Sequence, residues 1–483
     1  MIQKKLFSVL VVTLLFVGIL TLAARTQPVT ANGAVYIRAD GTIDPPIARG
    51  YIQKDVDKYT FTNNIYGSIV IERDNVVVDG AGYTLQGTGN GTGIELSGRN
   101  NITIRNVKIK EFYHGIALYH SSSVSIYGNE IEENSPSSPR ADGIYLVEST
   151  NNIMFQNNIT NNGDGIELVA HSSNNHILQN NITNNYEGID LWYSSHNTIL
   201  RNEITANNWD GIEIFQSVNN TISTNNVAAN FYDGIKIHNS SHNTILGNNI
   251  TNNGDGIELV AHSSNNHILQ NNITNNMHGI DLKDSSNLNT IFKNDITKNR
   301  SAVQLADSSN NTVSENHIAA INHGFYLDVW SSNNTFYANK IANSRYGTFL
   351  EFSPNNLFYH NCFFNNTIQA NCDQSLNVWD NGVEGNYWSD YVGADEERDG
   401  IGDSPHVINE GNQDNYPLMK PYVDSNSDGQ VNIVDLYVIA KAFGTSSGDP
   451  NYDLHGDIDW NNTVNILDLY ICTSWFQHRW RHP

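Results

Sequence analysis

Two segments near the C-terminus space oxygen-bearing side chains as a twelve-residue calcium loop does. In DSNSDGQVNIVD, Asp424, Asn426 and Asp428 stand at positions 1, 3 and 5, Gly429 at 6, Gln430 at 7, Asn432 at 9 and Asp435 at 12. Thirty-three residues later, DIDWNNTVNILD repeats the pattern with Asp457, Asp459, Asn461, Asn462 in the glycine place, Thr463, Asn465 and Asp468. Such a loop surrounds a hard cation with carboxylate, amide and main-chain carbonyl oxygens and needs a permissive residue at position 6. Asparagine also visits the left-handed region, so Asn462 is a mild departure. Ca²⁺ is the expected ion, and the apolar stretches Leu436 to Phe443 and Leu469 to Phe476 are read as the helices that follow each loop. A weaker oxygen set, Asp395, Glu397, Asp399 and Asp403, is interrupted by Arg398 and has His406 where position 12 would fall.

A second concentration of reactive side chains precedes a recurring Gly-Ile pair. The residue before glycine reads Asp142, Asp164, Glu187, Asp210, Asp233 and Asp255, and the residue two after it includes Glu167, Asp190, Glu213, Lys236, Glu258 and Asp281. Tyr186, Trp209 and Tyr232 lie two before glycine in three successive units. Aromatic faces beside carboxylates suit sugar rings, whose C–H faces lie on the aromatic while hydroxyls bond the acids. Tyr186, Glu187, Asp190, Trp209 and Tyr232 are therefore the candidate ligand contacts. Asp210, Glu213 and Asp233, with Lys236 as cationic partner, are the candidate acid–base set, since paired carboxylates hydrolyse glycosides at separations of about 5 to 9.5 Å. A solvated acidic face copied by duplication is the alternative reading.

The elements that position these residues follow from a repeat. The glycine recurs from Gly93 to Gly347, with Ala302 once in its place, at intervals of 22 or 23 residues broken by a single interval of 28. The stretch NNITNNGDGIELVAHSSNNHILQNNITNN occurs verbatim at 157–185 and again at 248–276. Within each unit apolar residues alternate in short bursts separated by Asn, Ser and Gly, which reads as strands and turns without helical periodicity. Twelve such units predict a parallel β-helix, one coil per unit, with like residues stacked about 4.8 Å apart. An Asn column from Asn129 to Asn361 is expected to point inward, each amide satisfied by its neighbours above and below. The left-handed corner of each coil is assigned to the same asparagines.

The flanks carry a resemblance. VYIRADGTIDPP and VVVDGAGYTLQG before the repeats, and GNYWSDYVGADEERDGIGD with NYPLMKPY after them, resemble the end pieces of NosD-type right-handed parallel β-helix proteins, a class overlapping the carbohydrate-binding and sugar-hydrolase β-helices. The two calcium loops, each with Asp at position 12 and a following helix, resemble type I dockerins. The resemblance implies an all-β solenoid with a small all-α calcium unit, and attachment to a cohesin-type partner. The expected organisation is a signal peptide at 1–31, an N-terminal cap and first coils at 32–92, repeats at 93–365, a C-terminal cap at 366–421, a dockerin-like unit at 422–476 and a tail at 477–483. The function implied is a secreted or cell-surface protein that recognises a polysaccharide or other glycan. A polysaccharide hydrolase or lyase and a structural spacer are the alternatives. The copper chemistry that NosD suggests would need thioethers, thiolates or clustered imidazoles, and the chain has four Met and three Cys.

Charge and termini narrow the classes further. With 26 basic and 50 acidic residues the net charge is −24, which disfavours nucleic acid and anionic membranes as partners. Lys4 and Lys5 before an apolar run to Ala24 read as an export signal cut after Ala31, with no membrane span remaining. Cys362 and Cys372 could form one disulfide.

Overall fold

A computed structural model describes residues 33–134, 141–423, 433–452, 456–458 and 463–479. The signal segment, most of the Ser135 to Asp142 insertion and the calcium-loop positions Asp424, Asn426, Asp428, Gln430, Asn432, Asp459 and Asn461 lie outside those residues.

The chain winds as a parallel β-solenoid with three sheets. Each coil gives one strand to each sheet, as in Ile166–Val169, His176–Leu178 and Asn181–Thr183, before the next coil begins at Ile189–Trp192. The first sheet has 16 strands, of which the outermost, Ile43–Asp44, pairs antiparallel with Val35–Ile37. The twelve units read from the sequence supply the strands from Thr92–Ser97 to Tyr346–Glu351. Val35–Ile37, Ile69–Ile71 and Ile368–Asp373 extend the parallel stack, so it is longer than the twelve coils expected. The two N-terminal strands fall within the cap and first coils expected at 32–92, and none of the three sequences carries the Gly-Ile signature by which the twelve units are counted.

Register is strict: Ile166 pairs with Ile189, and Asp190 with Glu213. Because side chains alternate along a strand, the Ile and Leu columns fill the interior and are inaccessible to solvent. Near the C-terminal end the filling becomes aromatic, with Phe336 on Phe358, Phe358 on Trp379 and Phe363 on Trp388 at centroid distances of 4.6, 4.5 and 4.5 Å. The hairpin His406–Asn409 and Asn412–Asp414 supplies acceptors at that end: Trp388 Nε1 donates to Asp414 Oδ2 at 2.8 Å and Trp379 Nε1 to Asn412 Oδ1 at 3.3 Å.

The inward asparagines form the expected ladder. Asn180 Oδ1 accepts from the main-chain N–H of Asn157 at 3.0 Å, and Asn180 Nδ2 donates to Met154 O at 2.9 Å and to Asn202 Oδ1 at 3.0 Å. Two further buried columns, one through Asn175 and Asn197 and one through Asn162 and Asn185, do the same, and a serine column runs through Ser217 and Ser240. The left-handed corner belongs to the preceding residue instead: Gln156, Gln179, Arg201 and Thr224 have φ near +50°, and the ladder asparagines do not. The repeated glycine answers a close approach. A Cβ on Gly188 would stand 2.3 Å from Gly211 O.

Cys362 and Cys372 are buried free thiols on different sheets, the third and the first, so the disulfide expectation is not met. After the solenoid come two helices, α1 (Ile433–Lys441) and α2 (Ile466–Arg479), packed around Val423, Ile439, Ala442, Ile458, Val464 and Cys472. No helix among the described residues is long and apolar enough to cross a membrane.

Replacing Asn202 with Ala removes the acceptor used by the Asn180 N–H and amide. Leaving buried donors unpaired costs about 1–3 kcal/mol each, so Asn202→Ala should destabilise the solenoid by roughly 3 kcal/mol in denaturant unfolding. Asn181→Ala, on the outer face, should cost under about 0.5 kcal/mol. Equal losses would contradict the ladder's role.

Candidate functional site

The acidic residues lie on one strip of the first sheet, and they are not solvated. Asp142, Asp164, Glu187, Asp210, Asp233 and Asp255 are all buried, as are Asp190 and Asp281. The strip is therefore no copied solvent face. Its cause is a carboxylate ladder: Asp164 Oδ1 accepts from the Glu187 N–H at 3.2 Å, Asp210 Oδ1 from the Asp233 N–H at 2.7 Å, Asp233 Oδ1 from the Asp255 N–H at 3.2 Å, and Asp255 Oδ1 from the His278 N–H at 3.2 Å. Asp164, Asp210, Asp233 and Asp255 thus each satisfy a main-chain donor of the next coil with one oxygen.

Aromatic rings border the strip on both sides. On the entry side Tyr186 stacks on Trp209 with centroids 5.7 Å apart, and Trp209 meets Tyr232 at 3.9 Å. These rings pile on one another along the solenoid, so the faces of Trp209 are turned to its neighbours and do not each await a sugar. The open rings are Phe231, 72% exposed, and Tyr232, 42% exposed. At the opposite end of the strands Trp192, 38% exposed, and Tyr193 contact Phe215 at 4.5 and 5.8 Å. Trp192, Tyr193, Phe215 and Phe231 went unnoticed in the sequence. The alternation that puts Asp190 outward also puts Trp192 outward, and that signal was available.

The strip has two electrostatic halves. In coils 255–283 it neutralises itself: His278 Nδ1 lies 2.9 Å from Asp255 and 3.5 Å from Asp281, and Lys283 Nζ lies 2.7 Å from Asp281 and 2.9 Å from Glu258. Although burial opposes it, hydrogen bonding and charge from His278 and Lys283 hold the Asp255 and Glu258 carboxyls below the usual range, and His278 rises to about 9. In coils 142–233 burial dominates. It pushes Asp142 and Glu213 up to about 7, Asp164 and Asp233 to about 9, and Asp210 to about 6, while Glu187 and Asp190 are raised by burial and by each other's neighbourhood. His114 Nδ1, 3.0 Å from Asp142 Oδ2, accepts from the Asp142 N–H at 3.3 Å, and burial holds its imidazole down at about 4. The acid–base candidates converge: Lys236 Nζ is 3.9 Å from Asp210 Oδ2, and Glu213 pairs in register with Lys236.

In the second calcium-loop segment Asp468 is buried and turned inward, its carboxylate accepting from the Ile458 N–H at 2.6 Å and the Asn465 N–H at 2.7 Å. Asp457 is buried and accepts from Tyr452 Oη at 2.7 Å, Asp435 is buried in the first turn of α1, and Thr463 bridges to Ser446. The Asp457 and Asp468 carboxylates are thus engaged by donors of the chain itself. In the exit-cap segment Asp395 accepts from the N–H groups of Asp399 and Gly400, and Asp403 from that of Glu396, so the loop is closed by its own main chain.

Raised carboxyl values carry a definite pH sign. The native strip binds protons more tightly than the unfolded chain, whose carboxyls titrate near 4, so unfolding free energy falls as pH rises through the native values. His278, raised to about 9, acts in the same direction; the lowered Asp255 and Glu258 act only in the acid range, and His114 and His323, held down at about 4 by burial, oppose the trend only below about pH 6.5, where the raised carboxyls outnumber them. In protein stripped of divalent ions, the melting temperature should rise as pH is lowered from 9 to 5.5. A melting temperature that rises with pH across that range would contradict the burial of these acids.

A family model described as "Right handed beta helix region" matches residues 49–203 and 169–296, and one described as "Periplasmic copper-binding protein (NosD)" matches residues 270–393. None of the curated proteins compared with the chain matches it. Among solved structures it is similar to the periplasmic alginate epimerase AlgG, at 15% identity over 71% of this chain and 82% of that one with a TM-score of 0.40. It is also similar to the A-module of the mannuronan C-5 epimerase AlgE6 of Azotobacter vinelandii, at 15% identity over 64% and 91% with a TM-score of 0.37. A third is the catalytic domain of a GH87 α-1,3-glucanase in complex with nigerose, at 14% identity over 52% and 54% with a TM-score of 0.30. The matches to the first family model together run from 49 to 296, just over half of the 483 residues, and with the stacked parallel coils they establish that the chain belongs to the right-handed β-helix family.

Proposed function

We propose that the protein is exported and recognises a polysaccharide along the strip of the first sheet, while the two-helix unit holds Ca²⁺ and attaches it to a cohesin-type partner. The observation that carries the glycan reading is a line of carboxylates bordered on both sides by rings over consecutive coils, with Phe231, Tyr232, Trp192 and Tyr193 open to solvent. Such a line suits a polymer lying along the solenoid axis, its C–H faces on the open rings and its hydroxyls toward Glu213 and Lys236, which are partly exposed. An extracellular or periplasmic place accords with the match to a family described as periplasmic.

The attachment reading is supported by duplicated exposed apolar residues. Ile433, Val434 and Tyr437 on α1 occupy the same places as Ile466, Leu467 and Tyr470 on α2, and all six are exposed. Exposed apolar groups at matched positions suit a protein partner. Copper is a poor fit. Cys362 and Cys372 are buried on different sheets, and His278 is the one histidine in the three clusters of candidate ligands among the described residues.

Catalysis is the second reading, favoured by Asp233 being pushed to about 9 beside Asp210 at about 6, an acid and a base in adjacent coils. Burial ranks it second: a general acid or base must reach the substrate, and Asp210 is 0% exposed.

A broad glycan array with the full chain should give hits. Trp192→Ala and Phe231→Ala should each weaken the best hit about tenfold, which is about 1.4 kcal/mol, and Trp209→Ala should weaken it by removing the support of Tyr232. No hits would reject glycan recognition and leave a spacer. If reducing or unsaturated ends are released from any array-positive polysaccharide, Asp210→Asn and Asp233→Asn should abolish release; undiminished release would overturn the acid–base assignment.

A further inference from the structure

The two halves of the strip treat the same problem differently. Where Asp255, Glu258 and Asp281 meet, His278 and Lys283 supply positive charge within 2.7 to 3.7 Å. Two to four coils earlier, Glu187, Asp190 and Glu213 converge, and the basic group nearest to them among the described residues is His238, whose Nδ1 is 4.0 Å from Glu213 Oε1 and whose imidazole is held below its ordinary value by burial. Lys236, on the next coil, is directed to Asp210 at 3.9 Å and Glu258 at 3.6 Å. Asp190 and Glu213 are register partners on adjacent strands, and Glu187 enters from the turn before Gly188, so three carboxylates from two coils share one point.

Their geometry is that of a cation cage. One oxygen from each lies within 4.8 Å of the other two. Oxygens on a common Ca²⁺ sit about 2.3–2.6 Å from the ion and so can be at most about 5 Å apart. Glu187 and Asp190 are 8% and 5% exposed, yet Glu187 Oε2 and Asp190 Oδ1 have no hydrogen-bond partner among the described residues. Buried acceptors without partners are costly, and two buried carboxylates with a third, partly exposed one beside them cannot all ionise without a counter-charge. Glu213 keeps 13% of its side chain exposed, which leaves a route for an ion from solvent. An all-oxygen, all-carboxylate donor set selects a hard cation over copper or zinc.

We propose that Glu187, Asp190 and Glu213 bind one Ca²⁺ on the first sheet, an external ion doing there what His278 and Lys283 do further along. Water completes the coordination shell. The site stands on the triad's geometry and does not depend on glycan recognition, and it is separate from the calcium loops of the two-helix unit.

The test uses full-length protein treated with EDTA and titrated calorimetrically with CaCl₂. Asp190→Asn with Glu213→Gln should remove one binding event from the folded protein, judged folded by circular dichroism, and Glu213→Gln alone should weaken that event more than tenfold. Asp435→Ala with Asp468→Ala should leave the event in place while removing loop binding. An unchanged stoichiometry in folded Asp190→Asn/Glu213→Gln protein, or loss of all binding in the loop variant, would overturn the proposal. Should the strip variants fail to fold, crystals of the unaltered protein soaked in MnCl₂ decide it: an anomalous peak among the three carboxylates is expected, and none at saturating metal would overturn the site.

Discussion

Everything in this molecule rests on the hydrogen bond that passes from each coil to the next through a buried asparagine. A parallel solenoid must turn three corners per coil, and every corner exposes main-chain groups to a dry interior. The amide of Asn180, accepting from the coil before and donating onward to Asn202, supplies both missing partners at once. Three asparagine columns and one of serine repeat this along the stack, and the close packing they enforce leaves no space for a Cβ at Gly188. Register then has no freedom, so any residue type copied from unit to unit is placed against itself.

That placement is the origin of the site. Stacked acids repel, and the structure resolves the repulsion in three ways. One oxygen of an acid such as Asp210 or Asp233 is tied to a main-chain N–H of the coil above. His278 and Lys283 neutralise one end of the strip. At the other end burial lifts the carboxyls of Asp164, Glu187 and Asp190, so that protons or a metal ion must supply the charge. Aromatic rings stand at either margin of the strands beside this polar line.

Much of the fold was legible because a solenoid writes its period into the chain. Gly93 to Gly347 marked twelve strands, and the Asn129 to Asn361 column marked one inward ladder. The terminal strands Val35–Ile37 and Ile368–Asp373 carry no such mark, because end coils face caps and have no like neighbour to match. Spacing placed Glu213 on the strand next to Lys236, with which it pairs in register, but it could not reveal burial. Whether Asp164 is wetted or sealed depends on neighbours a coil away. The same limit applies to Trp209: its type suggested a sugar platform, while the stacking that turns its faces to Tyr186 and Tyr232 is a property of the third dimension. Cys362 and Cys372 lie close in sequence yet on separate sheets, a separation that a ten-residue interval does not announce.

The central claim is that carboxyl groups on the first sheet stay buried and protonated when no cation is present. Infrared spectroscopy of EDTA-treated protein at pH 7 tests it most directly, because a protonated carboxyl has a carbonyl stretch distinct from the carboxylate bands. The account predicts a carboxylic-acid band at that pH, diminished by Asp164→Asn and by Asp233→Asn. A spectrum with carboxylate bands alone would contradict it.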